Sequence, residues 1–356
     1  MPLRVGVDAW NLVGDRRGIG RYVRQILTRW AKWPQRVSVV LLVPERAAWF
    51  VRSRYMRGLG PIRLPVRHRS SASTTDIVWY PWNGMSWTTA NLSIATLHDA
   101  SLFSMPPADA RIREREQRPF RVAARHARRI LTTSEFSKAE LALHLQLDPA
   151  TIDVVHLGVD ERFFSSRVEG DQKIAPAPAR PYLLFVGEPE ERKGLRTVFE
   201  AMTLLPPQLR SQTELVIAGA TGEYPLPAVP PSIHVRNCGW VDDAALADLY
   251  SGASALVYVS RYEGFGLPIV EAMAAGTPVI AGDAPGPKEA GGDAALYVPT
   301  DDPRALAQAI TQVLSGADLR TRLRMLGAQR ARELSWDTTA RRTLEVIEET
   351  AARALA

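Results

Sequence analysis

Two carboxylates, Glu263 and Glu271, flank Gly264-Phe265-Gly266-Leu267-Pro268-Ile269-Val270, so seven residues separate them. The two glycines bracket a turn whose backbone amides can approach a ligand closely, and Pro268 suits the first turn of a helix that begins at Leu267. Such a helix aims its N-terminal amides and the positive end of its dipole at whatever precedes it, an arrangement that suits a phosphate. Carboxylates suit hydroxyls instead, because they accept hydrogen bonds from sugar and ribose oxygens. Glu263 in the loop and Glu271 one turn into the helix would reach one cavity from different heights. Alone, Glu271 reads equally well as a solvated first-turn acid that favours the dipole; the glycine turn and the second acid together favour a ligand.

A second cluster, Gly187-Glu188-Pro189-Glu190-Glu191-Arg192-Lys193-Gly194-Leu195, places two adjacent cations at the start of an amphipathic helix. Cations there oppose the helix dipole, so an anion is expected among them. Arg192 offers a forked set of donors and Lys193 a compact point charge, a combination suited to a diphosphate. Asp301 and Asp302 head another helix and read as a cap. The lone Cys238 excludes an intramolecular disulfide and any multi-cysteine metal site.

These motifs follow short β-rich apolar runs. Leu3-Ala9, Val37-Val43, Ile77-Tyr80, Ile94-Leu97, Ile130-Thr133 and Ile152-Leu157 form a first series. Tyr182-Val186, Leu215-Ala218, Ile233-Val235, Ala255-Val259, Pro278-Ala281 and Leu296-Val298 form a second. Helix-spaced segments lie between many of them, which predicts parallel sheets covered on both faces. The expected organisation is a first domain over 1–170, a Pro/Ala-rich linker over 171–181, a second domain over 182–336 and a last segment over 337–356. In open parallel sheets ligands bind beyond the carboxyl ends of strands, where both clusters lie.

A chain of 356 residues supports two domains, and 46% hydrophobic with 23% charged residues is ordinary for a soluble globular protein. No apolar stretch is long enough to span a bilayer, and the start does not read as a cleavable signal, so a cytoplasmic protein is expected. The formal charge of +6 is uneven: residues 1–165 carry 25 Lys and Arg against 14 Asp and Glu. That surplus suggests an anionic surface as partner, and much of it lies between Arg111 and Arg129. This segment reads either as a solvated basic helix or as an interfacial one, kinked at Pro119.

The stretch Glu263 to Glu271 resembles the signature of the retaining glycosyltransferases of family 4, also called glycosyl transferases group 1, and the segments Asp8 to Tyr22 and Leu97-His98-Asp99 most resemble its bacterial mannosyltransferase-like members. Other segments agree in the order that family shows them: Gly14 to Tyr22, Thr96 to Asp99, Thr132 to Lys138, Gly158-Val159-Asp160, Gly187 to Leu195 and Gly239-Trp240-Val241. The resemblance implies a GT-B architecture, two Rossmann-like doubly wound domains facing a central cleft. The donor would sit mainly on the second domain and the acceptor on the first, with the last helix, about Thr338 to Arg353, crossing back. It also implies roles. Arg192 and Lys193 would neutralise the diphosphate, Glu271 would hold the ribose and Glu263 the transferred sugar. Backbone amides of Gly264, Phe265, Gly266 and Leu267 would bind sugar and phosphate oxygens. Gly18 and Gly20 would close over the diphosphate, His98 would stand beside the donor sugar, and Val241 with Gly187 would border the base.

The implied reaction retains the anomeric configuration without a divalent metal or other cofactor. GDP-mannose is the first expected donor, with UDP-sugars behind it. The acceptor would be a glycan or lipid-linked sugar, no nucleic acid is expected, and an anionic membrane surface is a candidate partner. The chain departs from the family where an Asn often precedes Gly-Val-Asp, having Leu157. It departs again after Gly187, where extra acids replace the frequent Arg-x-x-x-x-Lys. Three other readings compete. A nicotinamide dehydrogenase would use Gly18-Ile19-Gly20, but the third glycine of its fingerprint is missing. A sugar-nucleotide epimerase shares the architecture and needs no acceptor. A non-catalytic, lectin-like sugar-nucleotide binder would have no need of the intact Glu263, Glu271 and Lys193.

Overall fold

The computed structural model describes residues 1–14, 18–45, 64–164 and 180–355. Packing divides the chain into two units, Met1–Gly158 with Trp336–Ala356, and Val159–Ser335. The segment read as a linker lies outside the described residues except for Arg180 and Pro181.

The first unit holds seven parallel strands: β1 (Leu3–Asp8), β2 (Val37–Val43), β3 (Val66–His68), β4 (Ile77–Tyr80), β5 (Ser93–Thr96), β6 (Arg129–Thr132) and β7 (Ile152–Val154). Their order is β3-β2-β1-β4-β5-β6-β7, so the winding reverses between β1 and β4. Val5 and Val7 of β1, all of β4 and Ile94 and Ala95 of β5 are completely or almost completely buried, as expected of strands covered on both faces.

The second unit holds six parallel strands: β8 (Tyr182–Val186), β9 (Glu214–Ala218), β10 (His234–Asn237), β11 (Ala255–Tyr258), β12 (Val279–Gly282) and β13 (Leu296–Val298). Their order, β10-β9-β8-β11-β12-β13, reverses between β8 and β11. At such a reversal the connections leave in opposite directions and open a crevice beyond the strand ends.

The helices include α1 (Gly18–Trp30), α2 (Ala110–His126), α3 (Leu195–Thr203), α4 (Asp243–Gly252), α5 (Leu267–Ala274), α6 (Pro303–Ser315) and α7 (Trp336–Leu355). Pro119 lies within α2 without ending it. There the Met85 amide donates to the Pro119 carbonyl at 3.0 Å. Asp302 caps α6, accepting from the Arg304 and Ala305 amides, while Asp301 pairs with Arg261. α7 packs on α1 through the Trp30 indole N–H, which donates to the Ala340 carbonyl at 2.9 Å, and the Arg36–Glu348 ion pair at 2.6 Å holds it beyond the end of α1. Among the described residues no helix is long and apolar enough to cross a membrane.

Candidate active site

In the second unit the reversal between β8 and β11 brings the two sequence clusters together. Gly187 extends β8 by one residue, its amide donating to the Ala218 carbonyl at 2.8 Å. The chain then makes a short turn, Glu191–Lys193, held by the Lys193 amide on the Glu190 carbonyl, and α3 begins after Gly194. The cations therefore lie in a turn just ahead of the helix, and not in its first turn. The Arg261 amide donates to the Arg192 carbonyl at 2.7 Å, tying this turn to the loop after β11.

Glu263 is the meeting point. Its Oε1 accepts from Lys193 Nζ at 2.5 Å and from Arg192 Nη1 at 2.9 Å, and Arg192 Nη1 also donates to the Tyr262 carbonyl at 3.1 Å. Glu263 and Lys193 side chains are each only 12% exposed. Burial acts to raise the Glu263 pKa, but Lys193 and Arg192 outweigh it and hold the carboxyl below its ordinary value. Lys193 Nζ also lies 5.4 Å from the centre of the Tyr258 ring. Burial and the Glu263 charge push the Tyr258 hydroxyl well above its usual range. Tyr258 Oη and Ser260 Oγ are buried beside Glu263 without a hydrogen bond of normal geometry. Neither was marked by the sequence, since Tyr258 closes an apolar strand and Ser260 stands in no motif.

The extra acids of the Gly187 loop acquire partners here. Glu188 is buried and accepts from the Thr221 amide at 3.1 and 3.2 Å and from the Thr221 hydroxyl. Glu190 accepts from Arg192 Nε at 2.7 Å, and Glu191 from Arg261 at 3.2 Å. Of the two cations, then, Arg192 is shared between Glu190 and Glu263, whereas Lys193 is directed at Glu263.

Gly264, Phe265 and Gly266 are buried, and Leu267 opens α5 with Pro268 in the first turn and no side chain capping it. Glu271, on the second turn, is 3% exposed, and its Oε2 accepts from the Tyr250 hydroxyl of α4 at 3.0 Å. Val241 is half-buried in the loop after β10, which the Gly219 amide joins by donating to the Gly239 carbonyl at 2.7 Å.

The remaining expected site residues belong to the first unit. His98 follows β5 and is 8% exposed; its Nε2 donates to the Pro81 carbonyl at 3.1 Å, which fixes the proton on that nitrogen. Its backbone is held by Asn83 Oδ1 and the Thr133 hydroxyl, and its ring meets Tyr22 edge-on at 4.8 Å. Gly18 and Gly20 form the first turn of α1, Gly18 exposed and Gly20 buried. Among the described residues no group of three or more His, Cys, Asp or Glu is arranged to hold a metal ion.

Known proteins share both the sequence pattern and the architecture. Residues 16–163 match the family model described as Glycosyltransferase Family 4, and residues 167–330 the model described as Glycosyl transferases group 1. O-antigen chain mannosyltransferase B of Escherichia coli is 29% identical over 270 residues, covering 71% of this chain and 69% of that protein. The D-inositol 3-phosphate glycosyltransferase of Streptomyces scabiei is 31% identical over 62% of this chain, and the matched region spans 54% of its own length, about half of that curated relative. Among solved structures, sucrose-phosphate synthase of Thermosynechococcus elongatus superposes with a TM-score of 0.73 at 19% identity, over 99% of this chain and 100% of that one. With two Rossmann-like parallel-sheet units of GT-B type and family matches across both, the chain belongs to the family 4, group 1 glycosyltransferases.

Proposed function

We propose that the protein moves a hexose from a nucleoside-diphosphate sugar to a glycan or lipid-linked acceptor, with retention at the anomeric carbon and without a divalent metal. The carrying observation is the convergence of Lys193 and Arg192 on one oxygen of Glu263 at the β8/β11 reversal. The two cations, balanced by Glu263 and Glu190, set charged donors where α5 also turns its N-terminus. That arrangement stabilises a departing diphosphate electrostatically. Glu263, kept ionised, orients hydroxyls of the transferred sugar and Glu271 serves the ribose, and the family resemblance assigns His98 a part in the transfer. The leaving phosphate assists deprotonation of the acceptor. GDP-mannose is the favoured donor, its mannose in keeping with the mannosyltransferase relative, and surface polysaccharide or glycolipid synthesis the setting. The basic first unit suits a peripheral contact with an anionic membrane.

A thermal-shift panel of GDP, UDP and ADP with their sugars tests this reading. A ligand at about one hundred times its Kd stabilises the folded state by about 2.7 kcal/mol. That corresponds to a rise in Tm of roughly 5 to 11 °C for a unit of this size. GDP-mannose is expected to give the largest rise, and Lys193→Ala to weaken it at least about tenfold by removing a charged hydrogen bond. Undiminished affinity in that variant removes the diphosphate assignment. A larger response to UDP-sugars transfers the donor to that class.

A further inference from the structure

Glu271 stands on α5, but a group that holds its carboxylate comes from α4. Tyr250, completely buried near the end of α4, donates its hydroxyl to Glu271 Oε2 at 3.0 Å, and Glu271 itself is 3% exposed. A tyrosine side chain turns about only two bonds, and here its surroundings fix both ends. The Phe163 ring meets the Tyr250 ring edge-on with centres 5.7 Å apart. The Tyr250 carbonyl accepts from the Thr277 hydroxyl, while the Thr277 amide donates to the carbonyl of Ala272, next to Glu271. Thr277 thus ties both partners of the Tyr250–Glu271 bond to one frame, α4 through its side chain and α5 through its backbone.

Phe163 also gives a duty to a motif that the donor chemistry leaves unused. Gly158-Val159-Asp160 leads into the short turn Glu161–Phe164, where the Phe163 amide donates to the Asp160 carbonyl at 3.0 Å. Arg162 of the same turn pairs with Asp243, the first residue of α4, at 3.1 Å. The turn is fastened to the start of α4 and sets Phe163 against Tyr250 near the end of that helix.

The kind of donor matters. Lys193 and Arg192 bring positive charge to Glu263, whereas the Tyr250 hydroxyl is neutral and orients the Glu271 carboxylate without cancelling its charge. A carboxylate has about four acceptor positions, so one bond sets its direction without exhausting it. A long glutamate side chain otherwise gives up rotamer freedom when a ligand binds, and one oriented in advance does not.

We propose that Tyr250 is a positioning residue, its hydroxyl presetting the Glu271 carboxylate for the ribose hydroxyls of the donor nucleotide, an inference that rests on the assignment of Glu271 to the ribose. Isothermal titration with GDP, UDP and the dideoxy form of each, which lacks both ribose hydroxyls, tests it. In the wild type at least one ribonucleotide is expected to bind about tenfold or more tightly than its dideoxy form, the worth of one hydrogen bond to a charged group. Tyr250→Phe keeps the ring and its contact with Phe163. It is expected to weaken that ribonucleotide about tenfold and to leave the dideoxy form unchanged, so that the gap closes. Glu271→Gln should close the gap as well, and Tyr250→Phe added to it should change neither affinity further. Should Tyr250→Phe fold poorly, Phe163→Leu, which keeps both hydrogen-bonding groups and loosens the ring, is expected to narrow the gap. A loss shared equally by the ribonucleotide and its dideoxy form, the mark of a residue that only supports the fold, overturns the proposal. So does a gap that Tyr250→Phe leaves unchanged, and in both cases the ribose assignment stands. A wild type that shows no gap overturns the ribose assignment and the proposal together, and failure of both ribonucleotides to bind overturns the donor reading with them.

Discussion

Glu263 shows how a residue acquires a role through its neighbours. A glutamate this buried ought to resist ionisation, yet Lys193 and Arg192 hold it charged, with its pKa below the ordinary 4.5. The sign of the stability effect follows. A carboxyl with a depressed folded-state pKa contributes stability that is complete above the ordinary value and fades as pH falls through the depressed one. Glu263→Gln, which leaves two cations facing a neutral amide, is expected to lower stability by about 1 to 3 kcal/mol near pH 7. The gap between variant and wild type should close as the pH drops below 4.5. Urea denaturation of both proteins from neutral pH down into the acid range measures it; a gap that widens toward acid would contradict the charged carboxylate. The spacing of Glu263 and Glu271, and the adjacency of Arg192 and Lys193, were legible because each motif is local. The duty of Glu188 was not, because Thr221, its partner, stands 33 residues away in another loop.

At the scale of elements, apolar runs marked every strand of both sheets except β3. That strand is a three-residue edge, Val66–His68, with a single apolar residue and so no pattern to read. The reversal points, which decide where ligands gather, escaped as well, since strand order depends on pairing between segments far apart in sequence. The turn carrying Arg192 and Lys193 depends on Gly194, whose φ is +73° and whose added Cβ would stand 2.6 Å from the Val259 carbonyl oxygen. Gly276 has a nearly identical φ of +72°, but nothing lies within 4 Å of its added Cβ. Both Ala variants incur the left-handed strain of about 1 to 2 kcal/mol, and only Gly194→Ala adds a backbone collision. Gly194→Ala is therefore expected to be the more destabilising and to weaken GDP binding by displacing Lys193, while Gly276→Ala leaves GDP affinity unchanged. Equal losses in chemical denaturation and equal GDP affinities would deny the close packing of the turn on Val259, just after β11.

At the scale of the whole chain, the dominant asymmetry is charge: 25 Lys and Arg against 14 Asp and Glu over residues 1–165, within a total of +6. Part of that surplus is neutralised in place. Arg121 pairs with Glu114 at 2.6 Å, and Arg129 with Asp153 at 2.6 Å. Arg111, Arg118 and Arg125 recur every seven residues along α2, which sets them on one face, and all three are exposed. None of them enters an ion pair with another described residue. Ile112, 40% exposed, stands next to Arg111 and offers some apolar surface beside the charge. A solvated basic helix and a membrane-facing one differ in a measurable way. A basic side chain near an anionic bilayer contributes about 1 kcal/mol, screened within a Debye length of about 10 Å at 0.1 M salt. Reversing Arg111, Arg118 and Arg125 to Glu is expected to weaken sedimentation with phosphatidylserine-containing vesicles by at least about a hundredfold at low salt. The loss should be smaller at high salt and absent with neutral vesicles. GDP affinity, proposed above for the second unit, should not move. Sedimentation that is unchanged in the triple variant would mean that the helix is merely solvated, and the acceptor would then have to be presented without help from this face.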